Sequence, residues 1–151
     1  QATRKQFPKG IPAFGTDSLR FTFCALATYG RDIRFDLNRI EGYRNFCNKL
    51  WNAARFVLMH CENQAIAHTV SSQDLSFADH YIYSRLQHVI EESHRYFNQY
   101  RFDLLAKTLY EFVWNEYCDW YLEFAKIDLQ SAEVSERKKS AIRFTLLSVL
   151  D

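Results

Sequence analysis

The sequence predicts an all-α protein, an antiparallel bundle of four to five helices. Three observations carry this. Apolar residues recur at three- and four-residue spacing along most of the chain. Only 4 Gly and 2 Pro interrupt its 151 residues, which excludes a loop-rich, collagen-like or linker protein. Helix-start residues stand ahead of each apolar stretch. A chain of this length buries roughly 70% of its unfolded surface, enough for one domain with its own core.

Residues 1–15 hold both prolines and two of the glycines, and read as a basic connector. Residues 16–151 form the helical domain. The first helix is expected from Thr16 to Tyr29, capped by Thr16 or Asp17 and closed by Gly30. Leu19, Phe23, Leu26 and Ala27 make its inner face. Residues 30–39 alternate like a short strand, but the flanking helices favour an extended connector, with Asp36 or Asn38 capping the next helix. This second helix spans about 39–61. Its apolar stripe runs through Ile40, Tyr43, Phe46, Leu50, Ala54, Val57 and Cys61. Gly42 near its start costs about 1 kcal/mol relative to Ala, which suggests fraying or a close neighbour.

Residues 62–73 are a polar connection tolerant of length changes. Ser76 starts the third helix, and Asp79 completes a Ser-x-x-Asp capping box. That helix runs to about Tyr100, with Phe77, Tyr81, Ile82, Leu86, Val89, Ile90 and Phe97 facing inward. Asp103 caps a fourth helix over about 104–127. Its broad apolar and aromatic face includes Leu105, Leu109, Phe112 with Val113, Tyr117, Trp120 with Tyr121, and Phe124. A last helix runs from about Ser135 to Leu150. Beginning at Gln1 and ending in an apolar run, the chain reads as a piece cut from a larger protein.

The composition narrows the chemistry. Nineteen Lys/Arg against eighteen Asp/Glu give a net charge of +1, which argues against a uniformly basic DNA-binding surface. The charge is uneven, +5 over residues 1–62 and −4 over 63–151, so the first third can still face a polyanion. No apolar run is long enough for a membrane-spanning helix. Cys24, Cys47, Cys61 and Cys118 lack CxxC spacing and sit among apolar neighbours. They read as buried thiols of a reducing compartment, hence a cytoplasmic location. No glycine-rich phosphate loop and no GxSxG is present. Glu91 and His94 make one Glu-x-x-His pair, but a di-iron bundle needs a second. No catalytic residue and no metal ligand is therefore assigned.

One cluster stands out. Arg44, Asn48, Asn52 and Arg55 share one face of the second helix over about 16 Å. Lys49 flanks them, and Arg31 and Arg34 lie just ahead. Guanidinium forks suit phosphate, and amides pair with base edges. The alternative is a solvated or interhelical polar network. Trp51 is placed in the bundle interior rather than on a base.

Four blocks then carry a resemblance: GTDSLRF (Gly15–Phe21), GRDIRFD (Gly30–Asp36), GYRNFCNKLWNA (Gly42–Ala53) and EFVWNEYCDWYLE (Glu111–Glu123). In this order they closely resemble the class I aminoacyl-tRNA synthetases, and among them the bacterial valyl-tRNA synthetases. The resemblance implies the helical anticodon-binding domain of that class, truncated at its C-terminus. It implies tRNA(Val) as partner, beside catalytic, editing and C-terminal domains of a monomeric parent. The parent activates valine with ATP and Mg2+, transfers it to tRNA(Val) and edits mischarged threonine. Binding alone discriminates poorly between isosteres, which is why such editing exists. The His-x-Gly-His and Lys-Met-Ser-Lys-Ser signatures are absent from residues 1–151, so neither a catalytic site nor a cofactor is expected here. The resemblance makes Arg31, Arg34, Arg44, Asn48, Lys49, Asn52 and Arg55 the nucleic-acid-binding candidates. Trp51, Trp114, Trp120 and Asp119 become packing candidates. Should Asp119 pair with Lys49 or Arg55, the face turns structural, and contacts shift to Arg31, Arg34 and the 62–77 connector. A purely structural module, with RNA contacts elsewhere in the parent, stays as the alternative.

Overall fold

The structure is a computed structural model that describes residues 4–5, 7–30, 32–33, 35–67 and 69–151. From Thr16 onward it holds five helical rods: α1 (Thr16–Leu26), α2 (Leu37–Cys61), α3 (Phe77–Asn98), a composite fourth rod, and α6 (Glu136–Leu150). The fourth rod joins α4 (Phe102–Glu111), a π-helical segment (Phe112–Tyr121) and α5 (Leu122–Gln130) without a break. The all-α bundle expected from the sequence is what forms, and no strand occurs among the described residues.

The caps decide the boundaries. Asp36 accepts from the Asn38 amide at 2.9 Å and starts α2. At α3 the Ser76 hydroxyl accepts from Asp79 N at 3.1 Å, and Asp79 accepts from Ser76 N at 2.7 Å, closing the capping box. Two expected caps differ. Gly15, with φ 90°, precedes α1, so Thr16 and Asp17 lie inside the helix. The fourth rod starts at Phe102 after Arg101, and Asp103 instead accepts two hydrogen bonds from the Arg101 guanidinium. That pairing holds its carboxyl below the ordinary carboxylate range. Helix α1 also ends at Leu26, short of Tyr29. The Tyr29 hydroxyl donates to the Gln99 carbonyl at the α3–α4 corner, and this tie draws the chain off the helix axis.

Side-chain pairs set the rod directions. Asp79–Tyr121, Arg85–Glu116 and Phe97–Phe102 run α3 antiparallel to the fourth rod. Phe46–Tyr110, Lys49–Asp119 and Phe56–Lys126 run α2 parallel to it. The core joins Val57 of α2, Ile82 of α3, Phe112, Tyr117 and Leu122 of the fourth rod, and Leu146 of α6. Burying each such side chain contributes about 1.5–3 kcal/mol.

The π segment explains where the expected faces fail. The Leu122 amide donates to the Tyr117 carbonyl, five residues back. The wider turn shifts the inward face, and Phe112, Tyr117, Cys118, Tyr121 and Leu122 are buried. An α-helical reading turned Trp120 and Phe124 inward; both are exposed. On α1 the buried positions are Ser18 and Thr22, whereas Leu19 and Phe23 are exposed. The Thr22 hydroxyl donates back to the Ser18 carbonyl at 2.7 Å, so its hydroxyl is satisfied where two small polar residues are buried. Phe77, Tyr81, Ile90 and Phe97 of α3 are also exposed rather than inward.

Candidate nucleic-acid interface

Helix α2 buries one side and leaves Leu50, Leu58 and Met59 exposed beside its polar residues. Ile40, Phe46, Ala53, Val57 and Cys61 are buried. Asn48, Asn52 and Arg55 are exposed on the opposite side, and Arg44 is half-buried in the same row. The 3.6-residue period puts Trp51 in this row too, seven residues after Arg44 and four before Arg55. Its indole is 67% exposed. The expectation of a buried Trp51 is thus corrected. The position points away from the bundle, and the core beside it is filled by Phe46, Ala53 and Val57.

Not every candidate stands free. Lys49 is turned toward the fourth rod, where its ammonium pairs with Asp119 and lies 4.3 Å from the centre of the Trp114 ring. Of the two partners foreseen for Asp119, Lys49 is the one that meets it, which is the condition for a structural face; it is met at Lys49, while Asn48, Trp51, Asn52 and Arg55 stay exposed. Trp114 stacks on Tyr110 at 5.5 Å and takes the packing role, whereas Trp120 does not. Arg44 donates to Glu41 at 3.1 Å and lies 5.6 Å from the centre of the Phe14 ring, so Phe14 lies against α2. Arg31 and Arg34 lie outside the described residues. Gly42 has no heavy atom within 4 Å of where a Cβ would sit, so no close neighbour requires it.

The row is therefore Arg44, Asn48, Trp51, Asn52 and Arg55: two guanidinium groups, two amides and an exposed indole. An aromatic face accepts any base by stacking, and guanidinium groups at either end suit the phosphates of a strand laid along it. The sequence offered Trp51 as a stacking surface but favoured a buried place for it, although its spacing of seven and four from the two arginines put it in the outward row.

The 62–76 connection is held more firmly than its composition suggests. Asp74 forms an ion pair with Arg137 of α6 at 2.7 Å and accepts from Ser71 at 2.7 Å. The buried Arg143 reaches the Ala65 carbonyl at 3.4 Å. The thiols divide. Cys24 is exposed and Cys47 half-buried, against the expectation of four buried cysteines. Burial pushes Cys118 up to about 11 and raises Cys61 as well, so both are neutral thiols at pH 7.

The all-α bundle can be set beside known proteins. Residues 79–151 match the family described as "Anticodon-binding domain of tRNA ligase". Over its whole length the chain is 58% identical to the valine–tRNA ligase of Legionella pneumophila (strain Lens) and 55% to that of Acinetobacter baylyi. It is 56% identical over 149 residues to that of Coxiella burnetii. The chain spans 16% of the length of each of these relatives. It corresponds to the anticodon-binding region of the bacterial valine–tRNA ligases, not to their catalytic core. Helix α2 lies before the family match but within the alignment to the relatives.

Proposed function

We propose that this region binds tRNA(Val) through the outer row of α2, as part of a cytoplasmic, monomeric enzyme. That enzyme joins valine to tRNA(Val) with ATP and Mg2+ and edits mischarged threonine, using catalytic and editing domains outside residues 1–151. The observation that carries the reading is Trp51, an exposed indole between two arginines and beside two asparagines. No helix among the described residues is long and apolar enough to cross a membrane, which agrees with this placement. Arg44, Asn48, Asn52 and Arg55 are the contacting groups. Lys49 acts indirectly, holding α2 against the fourth rod, and Arg31 and Arg34 extend the basic approach.

A fluorescence anisotropy titration tests this, with tRNA(Val) and the same tRNA carrying a changed middle anticodon base, at two salt concentrations. Each phosphate neutralised on a single strand adds about 0.7 to the salt slope. Binding that weakens with salt and with the base change is expected. The second reading, a structural module with its RNA contacts elsewhere in the parent, draws on the internal pairing of Lys49 with Asp119. A folded chain without affinity for either tRNA would establish that reading instead.

A further inference from the structure

A second exposed surface has the opposite chemistry. Between the start of α3 and the end of the fourth rod runs a groove of about 340 Å³. Phe77 and Tyr81 form one wall at a spacing of four residues. Trp120 and Phe124 form the other at the same spacing, and Ile127 continues that line beyond the groove. These side chains are large and open: Phe77 is 87% and Trp120 63% exposed. Isolated soluble domains rarely leave such contiguous apolar surface uncovered, and patches of this kind mark contact sites.

We infer that this groove seats an apolar helix of the same protein, from outside residues 1–151. Its shape, its charge and the length of chain beyond it select that occupant. The walls belong to two antiparallel helices, so the trough between them suits a third helix whose apolar residues are spaced three or four apart. The groove's one carboxylate, Glu116, is neutralised by Arg85 at 2.6 Å, leaving no unpaired charge for a polar ligand to answer. Along the 116–128 stretch Glu116 pairs with Arg85, Asp119 with Lys49 and Glu123 with Lys126, so the flank offers a phosphate backbone no unpaired cation. And the chain spans only 16% of its relatives' length, so most of the protein that can cover the groove lies outside these residues. The inference rests on that family correspondence and not on the RNA reading of α2. No groove residue belongs to α2.

Photocrosslinking in the full-length protein tests it. Trp120 is replaced by p-benzoylphenylalanine, and Phe77 in a second variant. Both side chains are exposed within residues 1–151, so neither replacement disturbs the core. The expected product joins either position to a peptide of the same polypeptide outside residues 1–151. Its yield is independent of protein concentration and of added tRNA. Crosslinks to tRNA, crosslinks between two copies that grow with concentration, crosslinks confined to residues 1–151, or no crosslink from either position would each overturn the inference. Loss of tRNA binding on altering α2 is read separately, so either proposal can fail alone.

Discussion

The π segment and the outer row of α2 treat their polar side chains in opposite ways. In the π segment Glu116 pairs with Arg85, Asp119 with Lys49, the Tyr117 hydroxyl donates to the Leu146 carbonyl at 3.0 Å, and the Tyr121 hydroxyl donates to Asp79 at 2.5 Å. Four neighbouring residues thus tie the fourth rod to α2, α3 and α6. Among the described residues, Arg44 alone of the α2 row makes a contact of this kind, and it is with its own helix. Groups engaged inside the fold hold it together, and groups left outward are those available to a partner.

The contrast breaks most visibly in the interior. Phe112 begins the π segment and is buried. Phe112→Ala is expected to cost about 3–5 kcal/mol in denaturant unfolding, from lost transfer energy plus a cavity. A cost below about 1 kcal/mol would mean that the start of the π segment does not fill the core.

Tyr121→Phe is a smaller change at the same rod. The buried Asp79 keeps its Ser76 donors but loses the phenol. Leaving a buried acceptor short of a partner is expected to cost about 1–3 kcal/mol. Unfolding curves of Tyr121→Phe and Ser76→Ala, alone and combined, should be non-additive, since both donate to one carboxylate. Strict additivity would show that the two do not act through Asp79.

The smallest effect is expected at the corner where the rod begins. Asp103 is held below the ordinary carboxylate range by its hydrogen bonds from Arg101. A lowered folded-state value means the unfolded chain binds the proton more readily. The pair therefore adds stability above the unfolded-state value, near pH 4, and loses it as pH falls through the folded one. Asp103→Asn should be less stable than the parent at pH 7, with the gap closing toward pH 2. A gap that does not change between those values would remove Asp103 from the acid response.

Much of this architecture was legible residue by residue. Asp36 and the Ser76–Asp79 box are local signals, set by side chains that reach amides two or three positions away, so helix starts could be read directly. The helical faces were harder. Reading Leu105–Phe124 with an α-helical period turned Trp120 and Phe124 inward, because nothing local announces i→i+5 bonding. Ser18 and Thr22 took buried places because they let α1 pack closely, a tertiary preference that hydrophobicity does not encode. At the candidate site the row of Arg44, Asn48, Asn52 and Arg55 was visible from spacing alone. Trp51 was misplaced because indoles are usually found inside, a rule of averages that gives way once the inner positions are filled.

The most direct test of the account sits at Trp51. The tRNA(Val) affinity of Trp51→Ala is measured beside its melting temperature. Base stacking on an aromatic side chain is worth about 1–3 kcal/mol, so affinity should fall about 5- to 150-fold. The melting temperature should stay unchanged, because the exposed indole supports no core. An unchanged affinity, or a fall in affinity matched by a fall in melting temperature, would contradict a recognition role for the outer face of α2.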